Sequence, residues 1–198
     1  MIKTDEVIEF FNKYADSWDD YQVTDDEKIH KILDNAGIQA GMNLLDVACG
    51  TGVMFPYYIE REVGSITGID ISPKMIECAK AKFNSTDTTK INLICKNVEE
   101  IGHGKNYDAI VIYNAFPHFP DTERLIGHLS KLLKKDGILT VAHGASREEI
   151  NAHHAGSAAH VSNGLMEIDD LSDLFSRYLD VKFAISNNEY YQIVGINK

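Results

Sequence analysis

Cysteine is scarce in this chain. There are three, Cys49, Cys78 and Cys95, and no two stand at a paired spacing. An odd, scattered set offers no disulfide frame and suits a reducing cytoplasm. Long apolar runs are missing too, so nothing approaches the roughly 20 residues that cross a bilayer. The first residues, Met1-Ile2-Lys3-Thr4-Asp5-Glu6, lack the apolar stretch of a secretory signal. Basic residues are outnumbered, 19 Lys and Arg against 30 acids, for a formal net charge of −11. An acidic surface repels phosphate backbones, so neither DNA nor RNA is an expected partner. A small neutral or cationic ligand stays open. Internal repeats and low-complexity tracts are absent. What remains is 198 residues, 44% of them hydrophobic, enough to bury a core of ordinary domain size.

The chain is organised around Asn43-Leu44-Leu45-Asp46-Val47-Ala48-Cys49-Gly50-Thr51-Gly52. An apolar run ends in an acid and then in a small-residue loop, which reads as a buried strand turning tightly into a helix. Glycine has no Cβ, so the backbone can turn sharply there and a ligand can approach it. The next helix would aim its free N–H groups at that ligand.

Before this stretch, Thr4 caps a first helix whose Val7, Phe11, Tyr14 and Trp18 recur on one face. This aromatic stripe packs on the core or forms a lid, with Tyr14 or Tyr21 closing over a ligand. Thr24-Asp25-Asp26-Glu27 is a capping-box pattern for a second helix ending near Asn35. After the glycine loop, a helix is predicted over 53–62, with Pro56 in its first turn. Strands follow over 65–71, 91–95, 107–113 and 137–142, separated by helices opening at Ser72-Pro73 and Asp121. The helix from Asp121 is predicted to run to about Leu133 and stop at Asp136-Gly137. This alternation implies a parallel sheet covered on both faces. A helix over 169–178 then leads to two β-rich runs, 181–186 and 189–196. Asn187-Asn188 would join them in a two-residue hairpin turn at positive φ.

In an open α/β sheet, ligands bind beyond the carboxyl ends of the strands. Asp46 to Gly52, Asp70, Asn97 and Asn114 all fall there. An acid ending the second strand can accept both hydroxyls of a ribose. Asn97 could bond an adenine edge while Ile71 and Val98 sandwich the ring. The constellation describes a pocket for an adenosine-containing cofactor. A dinucleotide fingerprint would place a third glycine at position 55, where Phe55 stands, and no Gly-Lys-Ser/Thr phosphate loop is present.

These motifs resemble the class I S-adenosylmethionine-dependent methyltransferases. Leu44 to Gly52 is similar to their first motif, Ile66 to Met75 to their second-strand motif, and Tyr107 to Val111 with Asn114 to their fourth. Leu133 to Leu139 is similar to the segment leading into the fifth strand. The small-molecule branch that includes ubiquinone- and menaquinone-biosynthesis enzymes is the nearest in character, and Phe11 to Asp19 is similar to its pre-core helix. The resemblance implies an α/β, Rossmann-like, seven-stranded, mostly parallel sheet with helices on both faces and a C-terminal antiparallel hairpin. It implies S-adenosyl-L-methionine as cofactor and S-adenosyl-L-homocysteine as product. Asp46 would orient the methionine end, and Ala48, Cys49, Gly50 and Gly52 would line the methionine and ribose. Asp70 would hold the ribose, Ile71 and Met75 would pack on adenine, and Asn97 with Val98 would meet its edge. Asn114 would sit near the reacting centre. Ala48 replaces a frequent glycine, which is harmless at negative φ. Asn97 stands where Asp is commoner.

Methyl transfer is an in-line displacement, so a base is needed only if the nucleophile must lose a proton. The candidate catalytic residues are His118, in the turn after the fourth strand, and His143, at the end of the fifth. His118 has a purely turn-packing alternative. For the cluster His143, His153, His154 and His160, with a capping box from Ser146 to Glu149, three readings stand: a solvated loop, a substrate or relay group led by His143, or a metal site. The metal set would be His143, His153 or His154, with His160 and Glu149 as further ligands.

The expected organisation is one domain over 1–198: a helical cap (1–37), a cofactor core (38–142), a substrate-side segment (143–180) and the terminal hairpin (181–198). The expected activity is methylation of a small molecule in the cytoplasm, by a monomer or homodimer, away from membranes. A non-catalytic cofactor-binding protein, a nicotinamide-dependent oxidoreductase and a protein methyltransferase are the rivals.

Overall fold

The computed structural model describes residues 2–21, 24–83, 90–102, 104, 106–156 and 158–198; the side chain of Tyr21 lies outside the described part. The elements in order are α1 (Thr4–Tyr14), α2 (Asp26–Asn35), β1 (Asn43–Val47), α3 (Phe55–Glu60), β2 (Ser65–Asp70), α4 (Pro73–Phe83), β3 (Lys90–Cys95), β4 (Tyr107–Tyr113), α5 (Thr122–Ser130), β5 (Leu133–His143), α6 (Arg147–His154), α7 (Ile168–Ser176), β6 (Leu179–Ser186) and β7 (Tyr191–Asn197). Seven strands form one sheet in the order β3-β2-β1-β4-β5-β7-β6. The first five pair in parallel, and β7 runs antiparallel to both β5 and β6. The fold expected from the alternation and the terminal pair is the fold observed. Among the described residues no helix is long and apolar enough to cross a membrane.

Strand alternation sorts the core into two layers. Leu45 and Val47 of β1, Ile110 and Ile112 of β4, and Leu139 and Val141 of β5 pack against Leu125 of α5 and Phe175 of α7. Leu44, Ala109 and Val111 point the other way, onto Ile29 and Leu33 of α2, Tyr58 of α3 and Ile76 of α4. This parity decides where each acid and histidine in the strands faces.

Several local expectations need correcting. The first helix stops at Tyr14, and the chain tightens into a 3-10 segment, Ala15–Tyr21, so the aromatic stripe splits. Lys3, not Thr4, occupies the cap position of α1. The cap of α2 is Asp25, whose side chain accepts from the Lys28 amide at 3.0 Å. α5 ends at Ser130, and Leu133 already re-enters the sheet; Asp136, at φ 60, is a kink inside β5 rather than a helix stop. The final hairpin turns through residues 187–190, not through two residues at positive φ. Asn187 closes it through its side-chain oxygen, which accepts from the amides of Glu189 and Tyr190, both at 2.9 Å.

Phe55 packs α3 against the sheet. It is fully buried, and β2 makes room for it with Gly68, where a Cβ would stand 2.7 Å from the Phe55 ring. On the far side, buried Gln192 of β7 donates to the Ile32 carbonyl at 2.8 Å and to Thr140 at 3.2 Å, and accepts from Asn35 at 3.0 Å. Every polar atom of that side chain is satisfied, so α2 is joined to β5 and β7 without an orphaned group.

Candidate functional site

The carboxyl ends of β1, β2, β3 and β4 open on a cavity of about 1070 Å³, its mouth included. The glycine loop forms one wall, with Ala48, Cys49, Gly50 and Thr51 on it. Ala48 has φ 55, Gly50 has φ 54 and Gly52 has φ 87, so the loop is left-handed at three residues. Gly50 tolerates this freely. Ala48 does not, and its positive φ departs from the negative one at which an alanine there would be harmless. A Cβ on Gly50 would meet nothing within 4 Å, so open space lies before its backbone.

Asp70 ends β2 and borders this cavity. Its Oδ2 accepts from the Gly50 amide at 2.9 Å, and its Oδ1 accepts from the Ser72 amide at 2.8 Å. One carboxylate thereby ties the glycine loop to the start of α4. Burial raises its pKa, and the backbone N–H groups of Ser72, Gly50 and Ile71 oppose that rise. Each oxygen keeps a lone pair for a further donor.

Ile71, Met75, Asn97 and Val98 continue the wall. Asn97 is half-engaged: its side-chain oxygen accepts from the Glu99 amide at 3.1 Å. Asn114, at φ 54, borders the cavity and accepts from the Gly144 amide at 2.9 Å, which links the ends of β4 and β5.

Four expected residues do not border the cavity. Asp46 shares the parity of Leu44 and faces the α3 layer; it is 2% exposed, and its Oδ2 has no hydrogen-bond partner. Burial pushes its carboxyl well above the ordinary range, Asp70 adds to this, and the Tyr58 hydroxyl opposes it. Gly52, at φ 87, packs inward, where a Cβ would stand 2.7 Å from Phe83. Tyr14 leans on Phe10 at 4.9 Å between ring centroids. His143 has the parity of Val141 and lies in the α5/α7 layer beside Tyr191, 1% exposed with Nε2 unpartnered. Burial, helped by His154 and His118, depresses its pKa to about 3.

Two aromatics of the N-terminal stripe do reach the cavity, and Tyr14 is not one of them. Phe11 and Trp18 border it, in edge contact at 5.4 Å. The N-terminal segment is stitched down by Asn12, whose side-chain oxygen accepts from Ser72 Oγ at 2.8 Å, and by Asp19, which accepts from Thr51 Oγ1 at 2.6 Å. Arg124, Lys96 and Glu99 also border the cavity, and no motif signalled them.

His118 borders the cavity and meets the Phe11 ring edge-on at 5.0 Å. Its Nδ1 lies 2.8 Å from the Val161 carbonyl. A carbonyl only accepts, so Nδ1 carries the proton and Nε2 presents a lone pair. Burial lowers its pKa, which keeps the ring neutral. The histidines named for a metal site do not come together. His153 is exposed, His143 is buried beside Tyr191, and His154 is held by Ser162 at 2.7 Å. Among the described residues no group of three His, Cys, Asp or Glu converges in a way that could hold a metal ion.

The methyltransferase domain family matches residues 44–137. Malonyl-[acyl-carrier protein] O-methyltransferase of Acetivibrio thermocellus is 30% identical over 132 residues, which is 65% of this chain and 46% of that protein. Demethylmenaquinone methyltransferase of Listeria welshimeri is 28% identical over 146 residues, 69% of this chain and 61% of that protein. The chain thus spans about half the length of the first curated relatives it matches, 46%, 51% and 47% of them. N-methyltransferase NodS from Bradyrhizobium japonicum, solved in complex with S-adenosyl-L-homocysteine, shares the fold at TM-score 0.67 and 16% identity, over 86% of each chain. The matched domain spans the glycine loop, Asp70 and the β4 end at Asn114, so the strand-end residues that line the cavity fall within the part of the chain that is similar to methyltransferases.

Proposed function

We propose that this protein transfers a methyl group from S-adenosylmethionine to a small-molecule acceptor. The observation that carries the reading is Asp70, buried at the cavity wall, clamped by the Gly50 and Ser72 amides and still holding a lone pair on each oxygen. A ribose diol is a donor pair of matching chemistry. When bound, the cofactor supplies a methyl on a sulfonium sulfur, and the S–C bonding pair returns to sulfur as the acceptor takes the methyl, leaving S-adenosylhomocysteine. Ile71, Met75 and Val98 offer the apolar faces for adenine. Asn97 would donate to a ring nitrogen, since its oxygen is occupied. Ala48, Cys49 and Gly50 would line the methionine and ribose, with Asn114 near the reacting end. Asp46, lacking a partner on Oδ2, would reach the ammonium only through an intervening water.

The chain's own chemistry is positioning and desolvation. Phe11, Trp18 and Phe119 would wall the acceptor and exclude water. His118, neutral with Nε2 bare, would take the proton of an acceptor that must lose one. That free base favours an enzyme over a cofactor-binding protein without chemistry. Phe55, seated against Gly68, occupies the position of a dinucleotide glycine and supports the methyl donor over NAD. We read 1–37 as the cap, 38–142 as the cofactor core, 143–180 as the substrate side and 181–198 as the hairpin of one domain. We place its work in the cytoplasm, as a monomer or homodimer, without nucleic acid or membrane.

Calorimetry with S-adenosylmethionine, S-adenosylhomocysteine and NAD tests the reading. Both adenosyl ligands should bind. Binding of NAD alone overturns it.

A further inference from the structure

His118 and His154 stand on two sides of one wall. His118 borders the cofactor cavity. His154 and Ser162 border a second, more open cavity beside α6, together with Asn151 and Met166. The two rings are neighbours, 5.0 Å between centroids and tilted by 44°. Consecutive residues anchor them, each at Nδ1: Val161 through its carbonyl to His118 at 2.8 Å, and Ser162 through its hydroxyl to His154 at 2.7 Å.

The two anchors differ in chemistry. A carbonyl only accepts, so His118 is held in the Nδ1–H tautomer. A hydroxyl both donates and accepts. Ser162 Oγ accepts from the Gly164 amide at 3.1 Å and can still serve either tautomer of His154. A fixed ring at the inner cavity is thus followed by a convertible ring at the outer one. That sequence suits protons leaving a site that closes against water.

We propose that His118, His154 and Ser162 form a proton relay that carries the acceptor's proton out of the cofactor cavity into the second cavity. The proposal deepens the methyl-transfer reading and rests on it. As the acceptor's X–CH3 bond forms, the X–H bonding pair stays on X and the proton moves to His118 Nε2. It passes from there to His154 Nε2 through a bridging water, so His118 keeps its bond to Val161. His154 releases its Nδ1 proton to Ser162 Oγ, which gives its own to water in the second cavity. His154 resets when it exchanges its Nε2 proton for one at Nδ1 through that water. His154 is a positioning residue for the proton, acting through His118.

The charges around the pair favour onward movement. The titratable groups that couple to it are further imidazoles: after burial, His118 and His153 of α6 lower the pKa of His154, and His154 and His118 lower that of His143 of β5. Arg147 of α6, at the second cavity, is paired with Glu167 at 2.7 Å. Among the described residues no carboxylate figures among the groups that shift either ring, so none holds a proton on the pair.

The test uses protein labelled at histidine, with S-adenosylhomocysteine filling the inner cavity. Relaxation dispersion of the His118 Cε1 carbon near its titration midpoint reads the rate of its proton exchange. His154→Gln and Ser162→Ala should each slow that rate about a hundredfold, the low end of proton-transfer effects, and Ser162→Thr should keep the parent rate. Long-range proton–nitrogen correlation in the parent should show His118 in the Nδ1–H form and His154 in both tautomers. Unchanged exchange in both slow variants, or a single tautomer at His154, overturns the relay. If a variant fails to fold, the parent tautomers still decide. Calorimetry with S-adenosylhomocysteine runs alongside: absent binding in the parent defeats the methyl-donor reading instead, and exchange is then read on the free protein.

Discussion

Asp70 Oδ2 accepts the Gly50 amide at 2.9 Å, so the acid that ends β2 holds the loop that ends β1. Cofactor contact and loop geometry depend on the same carboxylate. Asp70→Ala should weaken S-adenosylhomocysteine binding by at least about tenfold, since a hydrogen bond to a charged group contributes about 1.5–3 kcal/mol. Asp70→Asn should fall between, keeping one acceptor. Calorimetry decides, and parent-like affinity in Asp70→Ala would mean the pocket is assigned to the wrong residues.

Asp46 gives a pH signature. Its folded pKa is raised by burial and by Asp70. Between the unfolded value near about 3.9 and the raised folded value, the native state holds the extra proton, so stability falls as pH rises. Asp46→Asn removes this titration. The ligand-free variant should melt higher than the parent, by a margin that grows with pH, while binding S-adenosylmethionine more weakly. Melting curves across pH that run parallel for the two proteins would refute it.

His143 works in the opposite sense. Its pKa is depressed to about 3, so it is buried neutral. Between about 6.5 and that value the unfolded chain binds the extra proton, and stability is lost as pH falls. His143→Phe should lose less stability on acidification than the parent. Its effect on methyl transfer should be small, because His143 does not border the cavity. Denaturant midpoints from neutral to acidic pH measure this.

Ala48 carries strain at φ 55. A left-handed non-glycine residue costs about 1–2 kcal/mol, and glycine returns about 0.4–1 kcal/mol of that as unfolded-chain entropy. Ala48→Gly should therefore stabilise the protein by about 1 kcal/mol or less, read from chemical unfolding. A loss of stability would show that the alanine methyl packs better than it strains.

The sheet was legible because strand and helix periods alternate plainly and the glycine loop, Asp70 and Asn114 all fall at strand ends. What was not legible depended on parity and on distant partners. The acid in Asn43-Leu44-Leu45-Asp46 points away from the ligand face, a fact set by which of its neighbours meets α3. His143 looked accessible until its pairing with Tyr191 placed it inside the layer. Tyr14 and Phe11 share a stripe in sequence and both lie in α1, yet Phe11 borders the cavity while Tyr14 packs on Phe10. The partnership of His118 with His154 joins residues far apart in sequence, and Asn187 turned its hairpin by side-chain bonding where positive φ was expected.

β7 sits between β5 and β6, although it is the last of the seven strands to be synthesised. Until it emerges from the ribosome, β5 presents a bare apolar edge, and β6 has no neighbour to pair with in this sheet. Growth of the sheet is therefore not vectorial, and the nascent chain carries an adhesive strand edge at the moment synthesis nears Asn197. A stalled or clipped chain lacking Tyr191–Asn197 would keep its cofactor loop intact and still be prone to pair with its neighbours, so aggregation, not loss of binding residues, would be its mode of failure.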